Sequence, residues 1–222
     1  MKQLALDIAP PPAPAFDNFF PGRNAEALES LRALAAGTGE PVIYLWGVSG
    51  SGRSHLLRAA GAASARAVQH FPGEPTVEGR VLLLADDVDF LAPAAQHALF
   101  NAFNALRESG GALVASGRAP PARLALAPEL LSRLSWGLVY QVHPLDDQEK
   151  AAALARHAAA RGLRLPEEVS GYLLRHVKRD LTTLMGVLDA LDAHSLETRR
   201  ALSVPLAREV LRSSLALDDE PA

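Results

Sequence analysis

Apolar residues along this chain change their spacing near residue 145. Before that point, short runs of almost unbroken apolar residues alternate with longer stretches of helical period. Residues 42–46 (Val-Ile-Tyr-Leu-Trp), 68–71, 81–85 (Val-Leu-Leu-Leu-Ala), 112–116 and 138–142 read as strands. Unbroken apolar character, as opposed to alternation, is what a parallel strand buried on both faces requires. Residues 23–36, 54–64 and 94–109 read as helices; Gly37-Thr38-Gly39 stops the first and Gly110-Gly111 the third. Strands alternating with helices predict an α/β fold built on a five-stranded parallel sheet flanked by helices.

After Pro144 the strand runs cease. Helices are expected over 147–161 (closed by Gly162), 166–177 (opened by Pro166), 179–196 and 204–215. Leu181, Leu184, Leu188 and Leu191 share one face of the third. This predicts a small α-helical lid appended to the α/β core. At the other end, residues 9–15 (Ala-Pro-Pro-Pro-Ala-Pro-Ala) form a proline-rich linker of extended character behind a short peptide. The expected organisation is therefore 1–15, peptide and linker; 16–145, α/β core; 146–222, helical lid.

Composition narrows the class. The 222 residues, 49% of them hydrophobic, suffice for one α/β domain and a small appendage. No apolar run is long enough to cross a bilayer, and Asp7 interrupts the short apolar N-terminus, so neither a membrane span nor a signal peptide is expected. There is no cysteine, hence no disulfide or thiolate zinc site. A soluble, cytoplasmic protein is the expectation. A net charge of −3 argues against a dedicated DNA-binding domain, because affinity for DNA comes largely from neutralising phosphates, but leaves room for a local basic patch. The seven histidines show no metal-ligand spacing. There is no Ser/His/Asp triad and no paired-carboxylate hydrolase signature.

The strongest chemistry follows the first apolar strand. Gly47-Val48-Ser49-Gly50-Ser51-Gly52-Arg53-Ser54 fits a P-loop, with Arg53 at the usual lysine position. Glycines let backbone N–H groups curl round phosphates, and the following helix N-terminus adds a favourable dipole. Ser54 would offer its hydroxyl to Mg²⁺. Arginine is a planar fork where lysine is a compact charge. Nucleotide binding is expected to survive that exchange, whereas efficient hydrolysis by this chain alone is not. The apolar strand at 81–85 ends in Asp86-Asp87, the Walker B pattern, in which one carboxylate positions Mg²⁺ and the next orients the attacking water. Asp89 reads as a surface or capping residue, His55 as packed or capping, and Trp46 and Trp136 as packing residues.

These residues carry a resemblance to the DnaA-related AAA+ family over almost the whole chain, and most closely to its Hda branch, the small inactivators of the replication initiator. Phe16-Asp17-Asn18-Phe19 with Gly22 and Asn24 is similar to the family's adenine-side segment. Tyr44-Leu45-Trp46-Gly47 leads into Gly52-Arg53-Ser54-His55-Leu56-Leu57, and arginine in this run marks the Hda branch. Ser132-Arg133-Leu134-Ser135-Trp136-Gly137 resembles the arginine-finger motif, and Lys178-Arg179-Asp180-Leu181 the sensor 2 helix. The initiator's DNA-binding and N-terminal partner-binding domains have no counterpart in these residues. Gln3-Leu4-Ala5-Leu6-Asp7-Ile8 resembles instead the family's clamp-binding peptide, with Gln3, Leu4, Leu6 and Ile8 as its docking residues. Two segments depart from the family: Ser116-Gly117-Arg118-Ala119-Pro120-Pro121 lacks the usual acid and arginine of sensor 1, and Gly73-Glu74-Pro75-Thr76 replaces a longer element.

The resemblance implies a nucleotide site made of Gly47, Gly50, Ser51, Gly52, Arg53, Ser54, His55, Asp86, Asp87 and Arg179. It would hold ADP or ATP, with Mg²⁺ on Ser54 and Asp86. Arg133 would reach the γ-phosphate held by a neighbour, and Arg179 the phosphates of the chain's own nucleotide. The implied function is regulation of chromosome replication: with the DNA-loaded sliding clamp, the protein would stimulate hydrolysis of ATP bound to DnaA. DNA would be reached through the clamp, no membrane is involved, and association with copies of itself is compatible. The alternatives are an autonomous AAA+ motor or helicase loader, against which Arg53 and the altered sensor 1 speak, and a DNA-binding initiator, against which the acidic balance speaks.

Overall fold

The computed structural model describes residues 13–72, 79–178 and 180–215, the side chains of 213–215 excepted. Contacts divide the described chain into two compact units, one over 13–144 and one from 145 onward.

In the first unit, strands β1 (Val42–Trp46), β2 (Ala67–Phe71), β3 (Val81–Ala85), β4 (Ala112–Gly117) and β5 (Leu138–Gln141) form one sheet in the order β2-β3-β4-β1-β5. Every neighbouring pair is parallel. Alternate residues of the central strands point to opposite faces, and both faces are covered. Ile43, Leu45, Leu82, Leu84 and Val114 pack with helices α1 (Ala25–Ala36) and α2 (Arg53–Ala62). Val42, Tyr44, Leu83, Leu113 and Ala115 pack with α3 (Pro93–Ser109) and α4 (Pro128–Leu134). This double burial is why the strands read as unbroken apolar runs. Each buried leucine contributes about 2 kcal/mol by removing its side chain from water.

Parallel strands all end at the same edge of a sheet. The loops after β1, β3 and β4 therefore lie side by side, in the crevice where an open α/β sheet binds its ligands. Three local features differ from the sequence expectation. The first helix begins at Ala25, not at residue 23, because Gly22–Asn24 forms a 3₁₀ turn. That turn is held by the buried Asn24, whose side chain donates to the His143 carbonyl at 2.9 Å and accepts from its N–H at 2.7 Å. The second helix begins at Arg53 itself. Pro128–Leu134, too short for a periodic signal, is helical; it has proline in its first turn and buries Leu130 and Leu134.

The second unit is a bundle of α5 (Asp147–Ala160), α6 (Glu167–His176), α7 (Leu181–Thr198) and α8 (Val204–Leu215). Its core holds Leu154, Val169, Leu173, Leu184, Leu188, Leu191, Leu206 and Val210. Leu181, on the predicted face, is only half-buried. A capping box starts α5: Asp146 accepts from the Glu149 N–H, and Glu149 accepts from the Asp146 N–H. Asp180 caps α7 by accepting from the Thr183 N–H. Asp189 of α7 ties this helix to α5 through His157 at 2.6 Å and Arg161 at 3.0 Å. Among the described residues, no helix is long and apolar enough to cross a membrane.

Candidate nucleotide-binding site

The loop after β1 is built to receive an anion. Gly50 (φ 78°) and Gly52 (φ 102°) take left-handed conformations that let the chain wrap before α2 starts. A Cβ on Gly52 would also come within 2.9 Å of the Phe19 ring. The buried Gly47 donates its N–H to the Gly117 carbonyl at 3.3 Å, which joins the loop to the end of β4. Ser51 and Arg53 are buried, 6% and 7% exposed, yet Ser51 Oγ and Arg53 Nη1 have no hydrogen-bond partner. Buried donors without acceptors are costly. Here they line a glycine loop at the N-terminus of a helix, where phosphate oxygens would satisfy them.

Ser54 and His55 follow, both half-buried in the first turn of α2. His55 is packed: its Nε2 donates to the Ala15 carbonyl at 3.0 Å and its ring lies 5.5 Å from that of Phe19. It thus fastens the segment Ala15–Phe19 against α2. Burial holds its imidazole below the ordinary histidine value, in spite of the Ala15 bond, so the neutral form is favoured.

The two acids after β3 are both engaged. Asp86 accepts a short hydrogen bond from Ser116 Oγ, and the same hydroxyl accepts from the Asp87 N–H at 3.1 Å. Asp87 takes a left-handed conformation (φ 50°) and pairs with Arg53, Oδ1 to Nη2 3.1 Å. Sequence places Ser116 at the head of the segment that resembles sensor 1 but gives it no role; a polar residue at the end of a wholly buried strand is the further signal. Asp89 takes neither the surface nor the capping role expected of it. Its side chain is 14% exposed, accepts from the Arg118 N–H at 3.2 Å and pairs with Arg118 Nε at 3.5 Å. The reason is tertiary: the loop after β4 folds back beside the acids, and Arg118 also stacks 4.0 Å over Phe90. Tyr44, buried in β1, donates its hydroxyl to the Ala119 carbonyl and completes the anchoring of that loop. For Mg²⁺, Ser54 and the second oxygen of Asp86 are hard oxygen donors of the right kind.

Arg133 lies elsewhere. It projects from α4, on the sheet face opposite α2. Its Nε donates to Asn104 Oδ1 at 3.4 Å, and its guanidinium lies 5.4 and 5.9 Å from the Phe100 and Phe103 rings. Among the described residues no carboxylate pairs with it. Beside it, Trp136 is 54% exposed, lies with its ring 5.8 Å from that of Phe103 and carries Arg107 stacked at 3.9 Å. The structure thus gathers Gly47, Gly50, Ser51, Gly52, Arg53 and Ser54 with Asp86 and Asp87, and sets Arg133 apart. Arg179, Gln3, Leu4, Leu6, Ile8 and the segment 73–76 lie outside the described residues.

Two family models match the chain: the Hda lid domain over residues 147–211 and the bacterial DnaA ATPase domain over residues 76–141. The chain is an AAA+ protein related to DnaA and Hda. The two matches together support a DnaA-related replication regulator. Among solved structures it resembles domain III of the replication initiation protein DnaA from Thermotoga maritima (TM-score 0.71, 22% identity, 92% of this chain and 98% of that chain). It also resembles AMPPCP-bound DnaA from Aquifex aeolicus (TM-score 0.68, 23% identity, 84% of this chain and 66% of that one). A RuvB variant from Thermotoga maritima shares the fold at 13% identity (TM-score 0.67, 92% of this chain and 72% of that one). At these identities the likeness speaks to the AAA+ fold.

Proposed function

We propose that this protein restrains chromosome replication by stimulating hydrolysis of ATP bound to DnaA. In this reading it acts with the DNA-loaded sliding clamp and itself holds an adenine nucleotide, ADP or ATP. One contrast carries the reading. Arg133 is half-exposed and has no carboxylate to neutralise it among the described residues, whereas Asp87, the acid of the chain's own site, is occupied by Arg53. Such a chain is equipped to lend an arginine to another protein's ATP and poorly equipped to hydrolyse its own. A guanidinium placed against the charge that develops on a transferring phosphoryl group is worth roughly 10³ to 10⁵ in rate, about 4 to 7 kcal/mol.

Several features support the nucleotide half of the reading. The loop has two buried unpartnered donors, and DnaA structures of the same fold hold AMPPCP. Gly47, Gly50, Ser51, Gly52, Arg53 and the α2 N-terminus would hold the phosphates. Ser54 and Asp86 would share a Mg²⁺ ion with them, the metal adding countercharge to the phosphate oxygens. His55 would keep the adenine-side segment Ala15–Phe19 against the loop. The clamp half rests on Gln3, Leu4, Leu6 and Ile8, with the proline-rich linker giving reach.

The test is ATP hydrolysis by the cognate DnaA in the presence of DNA-loaded clamp. Adding this protein should accelerate hydrolysis, Arg133→Ala should abolish the acceleration, and a variant with Gln3, Leu4, Leu6 and Ile8 all replaced by alanine should lose its clamp dependence. No effect on DnaA together with rapid hydrolysis by the chain alone would replace this reading with that of an autonomous AAA+ motor or helicase loader.

A further inference from the structure

Arg53 stands where a P-loop ordinarily carries lysine, and its surroundings give it a task that lysine cannot perform. Its side chain is 8% exposed, and Nη2 lies 3.1 Å from Asp87 Oδ1. Its other amino group, Nη1, is buried with no partner, as is the neighbouring Ser51 Oγ. Asp87 is held from its backbone side as well: its φ is 50°, and its N–H donates to Ser116 Oγ. A guanidinium is a rigid planar fork whose two amino groups can serve two acceptors at once, whereas an ammonium is a single compact charge.

We propose that Arg53 bridges the phosphate loop and the acid, with Nη1 donating to a phosphate oxygen of the bound nucleotide while Nη2 stays on Asp87. The proposal rests on the reading of this loop as a nucleotide site and deepens it. Hydrolysis of ATP forms a bond from the water oxygen to the γ-phosphorus and breaks the bond from that phosphorus to the β–γ bridging oxygen. The water proton leaves toward an acceptor that has oriented the water. A carboxylate that remains paired with a guanidinium while nucleotide is bound does not serve as that acceptor. Arg53 is thus a specificity-determining residue that keeps Asp87 out of the reaction. The nucleotide becomes a resident ligand, and the acid stays intact but silenced. Lysine at this position would follow the phosphates and leave Asp87 unoccupied.

Two measurements on the full chain test this bridge. With ¹⁵N-arginine labelling, inorganic pyrophosphate should shift the Arg53 Nη1 resonance and leave Nη2 in place, while Asp87→Asn should move Nη2 with or without pyrophosphate. If pyrophosphate drives Nη2 to its Asp87→Asn position, Arg53 lets go of the acid and the proposal falls. If pyrophosphate does not bind, the proposal falls together with the nucleotide reading. In single-turnover hydrolysis of bound ATP, Arg53→Lys should be at least tenfold faster than wild type, and Asp87→Asn added to it should remove the gain. An Arg53→Lys protein that binds ATP but is no faster than wild type overturns the bridge. If that variant does not fold, the resonance measurement on the wild-type chain decides by itself.

Discussion

Two arginines of the α/β unit occupy opposite environments. Arg53 is buried beneath the phosphate loop and paired with a carboxylate, and only one amino group lacks a partner. Arg133 is half-exposed on the far face of the sheet, laid against Phe100 and Phe103 and bonded through Nε to a neutral amide. Burial with a counter-ion makes the first a fixed element of its own site. Aromatic faces and an amide hold the second without cancelling its charge, so its field remains available to an anion from outside. Under the proposed function, the difference between a residue that would keep a ligand and one that would be lent to a partner is whether its charge is already neutralised inside the fold.

The sharpest way to break this contrast is to remove Arg133. Arg133→Ala should lower the stimulated hydrolysis of DnaA-bound ATP by roughly 10³-fold or more, with ADP affinity of the chain itself unchanged in a calorimetric titration. A variant that stimulates DnaA normally would put the donated charge elsewhere.

Next in size is an attack on the turn that leads from α4 into β5 and carries Trp136. A Cβ on Gly137 would lie 2.0 Å from the Val42 carbonyl oxygen, so β1 or the turn must shift. Gly137→Ala should cost about 2 to 3 kcal/mol of stability, read in urea unfolding of the α/β unit. Full stability in that variant would show that the turn is looser than the contact implies.

Arg53→Ala should weaken ADP binding by roughly 10- to 100-fold, the worth of a charge-assisted hydrogen bond of about 1.5 to 3 kcal/mol. Loss of stability should be the lesser effect, because Asp87 is 45% exposed and water can replace its partner. A large drop in melting temperature with unchanged ADP affinity would make Arg53 structural only.

A third arginine serves as the baseline. Arg200 of the helical unit pairs with Glu209 at 2.8 Å, both half-exposed. The hydrogen bond from Arg200, more than the nearby charges, holds the Glu209 carboxyl below its ordinary value of 4.5. A depressed carboxyl contributes stability that is present above pH 4.5 and is lost as pH falls through the lower folded-state value. Arg200→Ala should therefore flatten a small acid-limb change in the melting of this unit and leave both nucleotide binding and stimulation untouched. A large effect would mean that exposed pairing matters as much as burial, which would weaken the distinction between Arg53 and Arg133.

Much of this protein is set by its sequence alone. The β3 run Val81–Ala85 is fully buried and carries its acids at its end, as its apolar continuity and the following Asp86-Asp87 require. The P-loop glycines, the Asp146–Glu149 cap and the buried leucines of α7 are likewise local patterns, within reach of spacing and residue type. Sequence is less informative wherever a side chain finds a partner far along the chain. Arg53 and Asp87 are 34 residues apart, Arg133 and Asn104 are 29 apart, and Asn24 and His143 are 119 apart. Asp89 reads as a surface or capping residue for the same reason, since the Arg118 loop that covers it arrives from the next strand. Pro128–Leu134 gives no signal because its helix is stabilised by the β-sheet beneath Leu130 and Leu134, not by a periodicity of its own. Local periodicity determines which elements form, because backbone hydrogen bonds and the apolar face of each element are short-range. Which charges meet is decided only when a parallel sheet brings the ends of β1, β3 and β4 to one edge, and that placement fixes Arg53 on Asp87 while leaving Arg133 without a counter-ion among the described residues.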